Sequence, residues 1–141
     1  MTDSKDTTSS HVTQVGTIEV INAEGSSFVE SELRYDSRDP YAATIAFMVG
    51  DTEVSWTFAR DLLRDGLSEP SGLGDVHLRP CLDSDAHSVV VIELLSPEGA
   101  ALVQARAGDL RRFVDRTTAL VPPGAESEHL DIDAVVARML V

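Results

Sequence analysis

Apolar and polar positions change period several times along this chain, and each change marks an element. Val12 to Ile21 is rich in β-branched residues and predicts a strand. Asn22–Ser27 is a turn cluster. Phe28 to Tyr35 alternates, with Val29, Leu33 and Tyr35 on one face and Glu30, Glu32 and Arg34 on the other. Asp36–Pro40 predicts a loop, because proline fixes φ and biases Asp39 away from helical geometry. Ala42 to Val49 is apolar on both faces, as an interior strand would be. A turn at Gly50–Glu53 leads into Val54, Trp56 and Phe58, which alternate with Ser55 and Thr57.

The period then lengthens. Ala59, Leu62 and Leu63 fall at helical spacing with Gly66 as a stop, which predicts a short helix over residues 59–65. Asp61 and Arg64 lie i, i+3 apart on its polar side. Ser68–Asp75 is Gly-rich and predicts a loop. Strands are expected at Val76–Cys81 and Ser88–Leu95, with a turn at Ser96–Gly99, and Ala100–Ala105 is read as a seventh strand although its Ala and Leu also suit a helix. Residues 107–119 predict a helix that places Leu110, Phe113, Val114 and Thr117 on one face. Val121-Pro-Pro-Gly124 ends it. A last helix follows, capped by Asp131 or Asp133, with Ile132, Val135, Val136, Met139 and Leu140 at helical spacing. The order is four strands, a helix, three strands and two helices. That predicts an α+β fold with a twisted, mainly antiparallel seven-stranded sheet and three helices.

Length and composition narrow the function classes. The 141 residues suit one domain, drawn from residue 11 to 141 behind a polar tail, residues 1–10, expected to be disordered. Asp and Glu number 24 against 11 Lys and Arg, giving a net charge of −13. Such a surface disfavours nucleic acid and anionic membranes. No apolar run approaches the ~20 residues of a membrane-spanning helix. The single cysteine, Cys81, leaves no internal disulfide framework and fits a cytoplasmic location.

Candidate chemistry is sparse. His11, His77, His87 and His129 lack zinc-ligand spacing with one another or with Cys81. Asp83, Asp85 and His87 alternate and would share a strand face, but a solvated hairpin tip is the favoured reading over a metal site. There is no Gly-x-Ser-x-Gly elbow, and Ser96 precedes a proline in a turn. Cys81 is expected as a small core residue rather than a nucleophile. Gly72-Leu-Gly74 precedes a strand and reads as a turn, not a phosphate loop. No catalytic residue, metal site or cofactor is therefore expected. Arg106, Arg111, Arg112 and Arg116 form the one locally basic stretch, either a docking face or a solvated helix face with an Arg111–Asp115 pair. Tyr35 and Tyr41 bracket an Asp-rich loop, and a loop-edge tyrosine suits a contact surface. The expected partner-contact residues are Tyr35, Asp36, Asp39, Tyr41, Arg60, Asp61, Arg111, Arg112 and Arg116.

Several of these segments resemble one family. Leu33–Ala42 (LRYDSRDPYA), Trp56–Leu63 (WTFARDLL) with Gly66-Leu67, and Pro70–Val76 (PSGLGDV) resemble the SsgA-like proteins. Ser96–Leu102, Phe113–Thr117 and Val121–Glu126 continue the match in order, so that it covers residues 12–141. The chain departs from the pattern in its first ten residues and at Ala105-Arg106, where a proline is expected. The resemblance implies a seven-stranded sheet with three helices, similar to the whirly-type nucleic-acid-binding fold and assembled as a trimer. It implies a cytoplasmic, non-enzymatic role at the division septum of spore-forming actinobacteria. SsgB-like members recruit the tubulin-like FtsZ, and SsgA-like members help to localise them. Length and motifs favour the SsgB branch. The alternative, by analogy with the whirly fold alone, is single-stranded nucleic-acid binding, which the net charge of −13 opposes.

Overall fold

Strict alternation over long stretches produces a sheet in which every pairing is antiparallel. The computed structural model describes residues 10–130 and 132–139, the last helix in part by its backbone alone. The expected tail up to residue 9, the Asp131 cap and Leu140 lie outside the described residues. The strands are β1 (His11–Asn22), β2 (Gly25–Asp36), β3 (Ala42–Val49), β4 (Thr52–Ala59), β5 (Ser71–Leu73), β6 (Val76–Leu82), β7 (Ser88–Ser96) and β8 (Gly99–Arg106). They form one sheet in the order β4-β3-β2-β1-β8-β7-β6-β5.

The sheet therefore has eight strands, where seven were expected. The extra one, β5, falls inside the stretch read as a Gly-rich loop. It is only three residues long, too short for alternation to reveal. Gly72 pairs with His77 across it, and a Cβ on Gly72 would stand 2.2 Å from His77 Nδ1. Gly74, at φ +62, turns the chain back into β6. The turn between β1 and β2 is also tighter than the composition suggests. Only Ala23 and Glu24 separate the strands, and Gly25 at φ +131 already pairs with Asn22.

Among the described residues, two helices pack on the sheet, where three were expected. Helix α1 (Arg60–Gly66) lies against β5 and β6, and α2 (Ala107–Leu120) crosses β1, β7 and β8. Residues Ile132–Met139 form a further helical segment, α3, whose Ile132 and Val136 face solvent. A 3-10 turn, Glu126–Glu128, precedes it.

The core lies between the sheet and the two packed helices. Leu110, Phe113, Val114 and Thr117 of α2 are buried, as the 3.6-residue period predicts. Leu110, Phe113 and Val114 share one buried cluster with Ile45, Leu63, Leu78, Ile92 and Val103. Four successive residues of β7, Val89 to Ile92, are all buried. Val90 and Ile92 belong to the main apolar cluster, whereas Val89 and Val91 lie outside it. The sheet thus curls far enough to cover part of its own outer face.

Candidate functional site

The β2–β3 corner carries the most organised set of polar side chains. Asp36 ends β2, Asp39 and Tyr41 follow in the loop, and Pro40 is buried beneath them. The loop is tied at both ends. Ser37 N–H donates to the Ser10 carbonyl at 2.9 Å, and Asp39 N–H donates to the Asp36 carbonyl at 3.0 Å. Asp36 accepts from Arg38 N–H at 2.8 Å and from its guanidinium at 3.2 Å, and His11 Nδ1 lies 3.4 Å away. Burial opposes ionisation of Asp36, but the Arg38 bonds prevail and hold its carboxyl below the usual range. Tyr41 is 50% exposed, so its ring is available for contact.

Two residues expected at a contact surface are instead structural. Tyr35 is 3% exposed and donates its hydroxyl to the Pro40 carbonyl at 2.8 Å. Burial pushes its pKa up to about 12. Arg60, expected on the polar face of α1, is also 3% exposed. Its guanidinium donates to the carbonyls of Thr117 at 3.1 Å and Val121 at 2.7 Å, and to Glu126 Oε2 at 2.9 Å. It stacks 5.1 Å above the centre of the Tyr35 ring. Neither side chain can meet a partner in this conformation. The reason is long-range: the carbonyls at the end of α2 and the Glu126 carboxylate supply a polar socket that the local helix period cannot show. Glu126 in turn accepts Gly124 N–H at 2.8 Å through Oε1. Its pKa is lowered, first by its own backbone N–H and then by Arg60.

On the outer face of the sheet, beside the loop, His11, Thr13, Glu32, Arg34, Asp36, Asp39, Thr44 and Thr57 enclose a hollow of about 290 Å³. Arg34 is its main cation, and it is engaged on both sides. It donates to Glu32, and through both terminal nitrogens to Glu53 at 3.0 and 2.6 Å. These bonds raise the Arg34 pKa and lower that of Glu53. With Asp36 and Asp39 on the rim, the hollow is acidic. It suits a cationic or hydrogen-bonding side chain rather than a phosphate.

The remaining predicted contact residues are surface groups. Asp61 lies 3.4 Å from Arg64, the expected i, i+3 pair. Arg111, Arg112 and Arg116 are exposed along α2. The ion pair on this helix joins Arg112 to Asp109 at 3.1 Å, in place of the expected Arg111–Asp115 pair. Arg116 reaches the Thr13 carbonyl at 3.4 Å. The structure therefore gathers Asp36, Asp39 and Tyr41 at one corner, and sets the arginines on a separate helix.

Two further sequence expectations resolve locally. Asp83 Oδ1 accepts N–H bonds from Asp85 at 2.9 Å and His87 at 2.8 Å, so this carboxylate caps the hairpin tip. Ligand-type atoms of Asp83, Asp85 and His87 lie within 4.8 Å of one another, a spacing the capping geometry accounts for. Cys81 is exposed, not a core residue. It pairs with Val89 in the register and lies on the outer face, opposite to Leu78, whose side chain enters the core.

Comparison with known proteins decides the family. Residues 29–126 match the family model described as "Streptomyces sporulation and cell division protein, SsgA". The chain belongs to the SsgA family. Among curated members, it is 48% identical over 122 residues to the sporulation-specific cell division protein SsgB of Streptomyces coelicolor, covering 86% of this chain and 88% of that one. It is 51% identical over 113 residues to the SsgB of Kineococcus radiotolerans, covering 79% of this chain and 68% of that one. A solved structure connected with SsgB mutations that correlate to longitudinal cell division in Streptomyces coelicolor superimposes with a TM-score of 0.81 at 43% identity. It covers 86% of this chain and 97% of its own. The SsgA-like sporulation-specific cell division protein of Thermobifida fusca gives 0.81 at 38% identity, over 92% and 96%. The corner and the acidic hollow described above are thus features of an SsgA-family sheet.

Proposed function

We propose that this SsgA-family chain is a non-enzymatic adaptor of sporulation-specific cell division, located in the cytoplasm at the septum and acting as a homo-oligomer, with a trimer the expected form. It holds division proteins together, FtsZ and other SsgA-like proteins among them. The observation that carries this reading is the 48% identity to Streptomyces coelicolor SsgB across 88% of that protein. The geometry supports it in kind. The Asp36–Tyr41 corner is preorganised by buried bonds, and preorganised surfaces lose little entropy on binding. Asp36, Asp39 and Tyr41 form one contact region, Asp61 on α1 a second, and Arg111, Arg112 and Arg116 on α2 a third. Oligomeric valency multiplies modest affinities at such patches.

The test is co-sedimentation with polymerised FtsZ. Wild-type protein should pellet with filaments, and Arg112→Glu and Asp39→Lys should weaken pelleting while keeping the wild-type melting temperature. Failure of the wild type to pellet ends the recruitment reading.

A further inference from the structure

A sheet of eight strands has two edges, and this one guards them unequally. The β5 edge is three residues long and follows Pro70. Short edge strands and prolines are common devices against unwanted pairing. The β4 edge is eight residues long and contains neither proline nor lysine. Its open side can be assigned. The two-residue loop Gly50-Asp51, with Gly50 at φ +63, makes Val49 and Thr52 the first hydrogen-bonded pair. Backbone groups of Thr52, Val54, Trp56 and Phe58 then face β3, and those of Glu53, Ser55 and Thr57 face away. The Arg60 N–H bond to the Tyr41 carbonyl, at 2.7 Å, continues the same phase beyond the strand. Glu53, Ser55 and Thr57 are all exposed.

Side chains on the two faces of this edge differ in chemistry. Val54, Trp56 and Phe58 line the inner face: Phe58 belongs to the core, Trp56 packs against it, and Val54 stays 42% exposed. Glu53 and Thr57 lie on the outer face, where Thr57 borders the acidic hollow and Glu53 bonds to its Arg34. An added strand would present alternate residues to an apolar strip and to a face on which four carboxylates, Glu32, Asp36, Asp39 and Glu53, outnumber the guanidiniums of Arg34 and Arg38.

We propose that the β4 edge is a strand-addition site for an extended segment of a partner protein in which apolar and basic residues alternate. Main-chain bonds to Glu53, Ser55 and Thr57 would fix the segment, and its basic side chains would meet the acidic outer face. Local charge favours this occupant over a second copy of the same edge, since Glu53 is the one charged residue of β4 and a β4–β4 pairing would bring no cation to the acidic hollow. The site adjoins Tyr41, so the proposal deepens the adaptor reading and rests on it for biological meaning.

The probe is a fluorescein-labelled peptide of about eight residues with alternating valine and arginine. The control has the same composition arranged in two blocks. Anisotropy titration at low salt should show saturable binding of the alternating peptide and clearly weaker binding of the block peptide. Ser55→Pro removes an N–H that faces away from β3, so the fold should survive. It should weaken binding by about tenfold. Ser55→Lys keeps the N–H and places a like charge beside the arginines, so it should weaken binding too, and it decides the matter if Ser55→Pro misfolds. Arg111→Ala, on α2, should leave binding unchanged. Equal binding of both peptides, or unchanged affinity in folded Ser55 variants, overturns the proposal. So does wild-type self-association that Ser55→Pro abolishes, because the edge would then belong to a second copy. The FtsZ assay is separate. Loss of co-sedimentation with an intact peptide response would remove the division reading and leave the surface standing, and the converse result would do the reverse.

Discussion

Arg60 and Glu126 meet at 2.9 Å across sixty-six residues of sequence, and the pair joins the first helix to the segment that follows the second. The same guanidinium caps two carbonyls at the end of α2 and covers the Tyr35 ring. One buried side chain thus ties the β2–β3 corner, α1 and the 121–126 segment into a single unit. Arg60→Met keeps most of the packing volume and leaves these acceptors unpaired. It should cost about 3 kcal/mol and lower Tm by roughly 10 °C in calorimetry. Glu126→Gln keeps the shape and one acceptor oxygen, and should lower Tm by less. A Tm unchanged in both variants would show that the socket contributes nothing.

The pH dependence has a sign at each end. Asp36 and Glu126 have folded-state pKa values below their ordinary 3.8 and 4.5. Groups depressed in this way contribute stability that is present above the ordinary value and is lost as pH falls through the folded one. Urea melts should therefore show stability declining below about pH 4.5. Tyr35 runs the other way, from 10.0 to about 12, because burial disfavours its anion. Its contribution is complete below pH 10 and is lost as pH rises toward 12. Tyr35→Phe should flatten this alkaline decline while lowering stability at neutral pH by about 1 kcal/mol, the bond to the Pro40 carbonyl being lost. An alkaline decline of unchanged steepness in Tyr35→Phe would assign it to another group.

Gly66 has a second purpose beside its sequence reading. It is the last residue of α1, the helix stop expected, but without the left-handed conformation of a glycine cap, since its φ is not positive. A Cβ there would lie 2.7 Å from the Cβ of buried Leu78. The residue is glycine because α1 approaches β6 closely. Gly66→Ala should cost about 2 kcal/mol by overpacking. Gly72→Ala meets the ring of exposed His77, which can rotate away, and should cost less than about 1 kcal/mol. Equal destabilisation by chemical denaturation would refute this account of the two glycines.

Period, β-branched and apolar runs and the turn residues between them located seven of the strands, and the 3.6-residue period located α1 and α2. Ile45, Leu33 and Phe113 are buried where that pattern places them. It failed where a contact is remote or an element is short. Arg60 looks solvated within WTFARDLL because its acceptors lie beyond residue 116. Strand β5 has too few residues to alternate, and its evidence is a missing side chain opposite His77. Of the contact residues, Tyr41, Asp61 and the three arginines of α2 are exposed as expected, since amphipathic helices and loop edges announce their solvent faces. Tyr35 illustrates the limit: its place beside the Asp-rich loop suggested a contact residue, while the alternation that puts it on one face with Leu33 points it inward.

Cys81 offers a test of strand phase at the other side of the sheet. As a lone strand cysteine after Pro80 it is expected in the core, but the phase set by buried Val76 and Leu78 turns it outward. An exposed thiol reacts without unfolding. Native protein should therefore be labelled by a maleimide at the same rate, within about twofold, as protein in denaturant, whereas a buried thiol is protected by the free energy of opening. Cys81→Ser should change stability by less than about 0.5 kcal/mol, because no packed volume is lost. Slow labelling that accelerates with denaturant would mean that β6 is rotated by one residue, and with it the side-chain assignment of the whole β5–β6 edge.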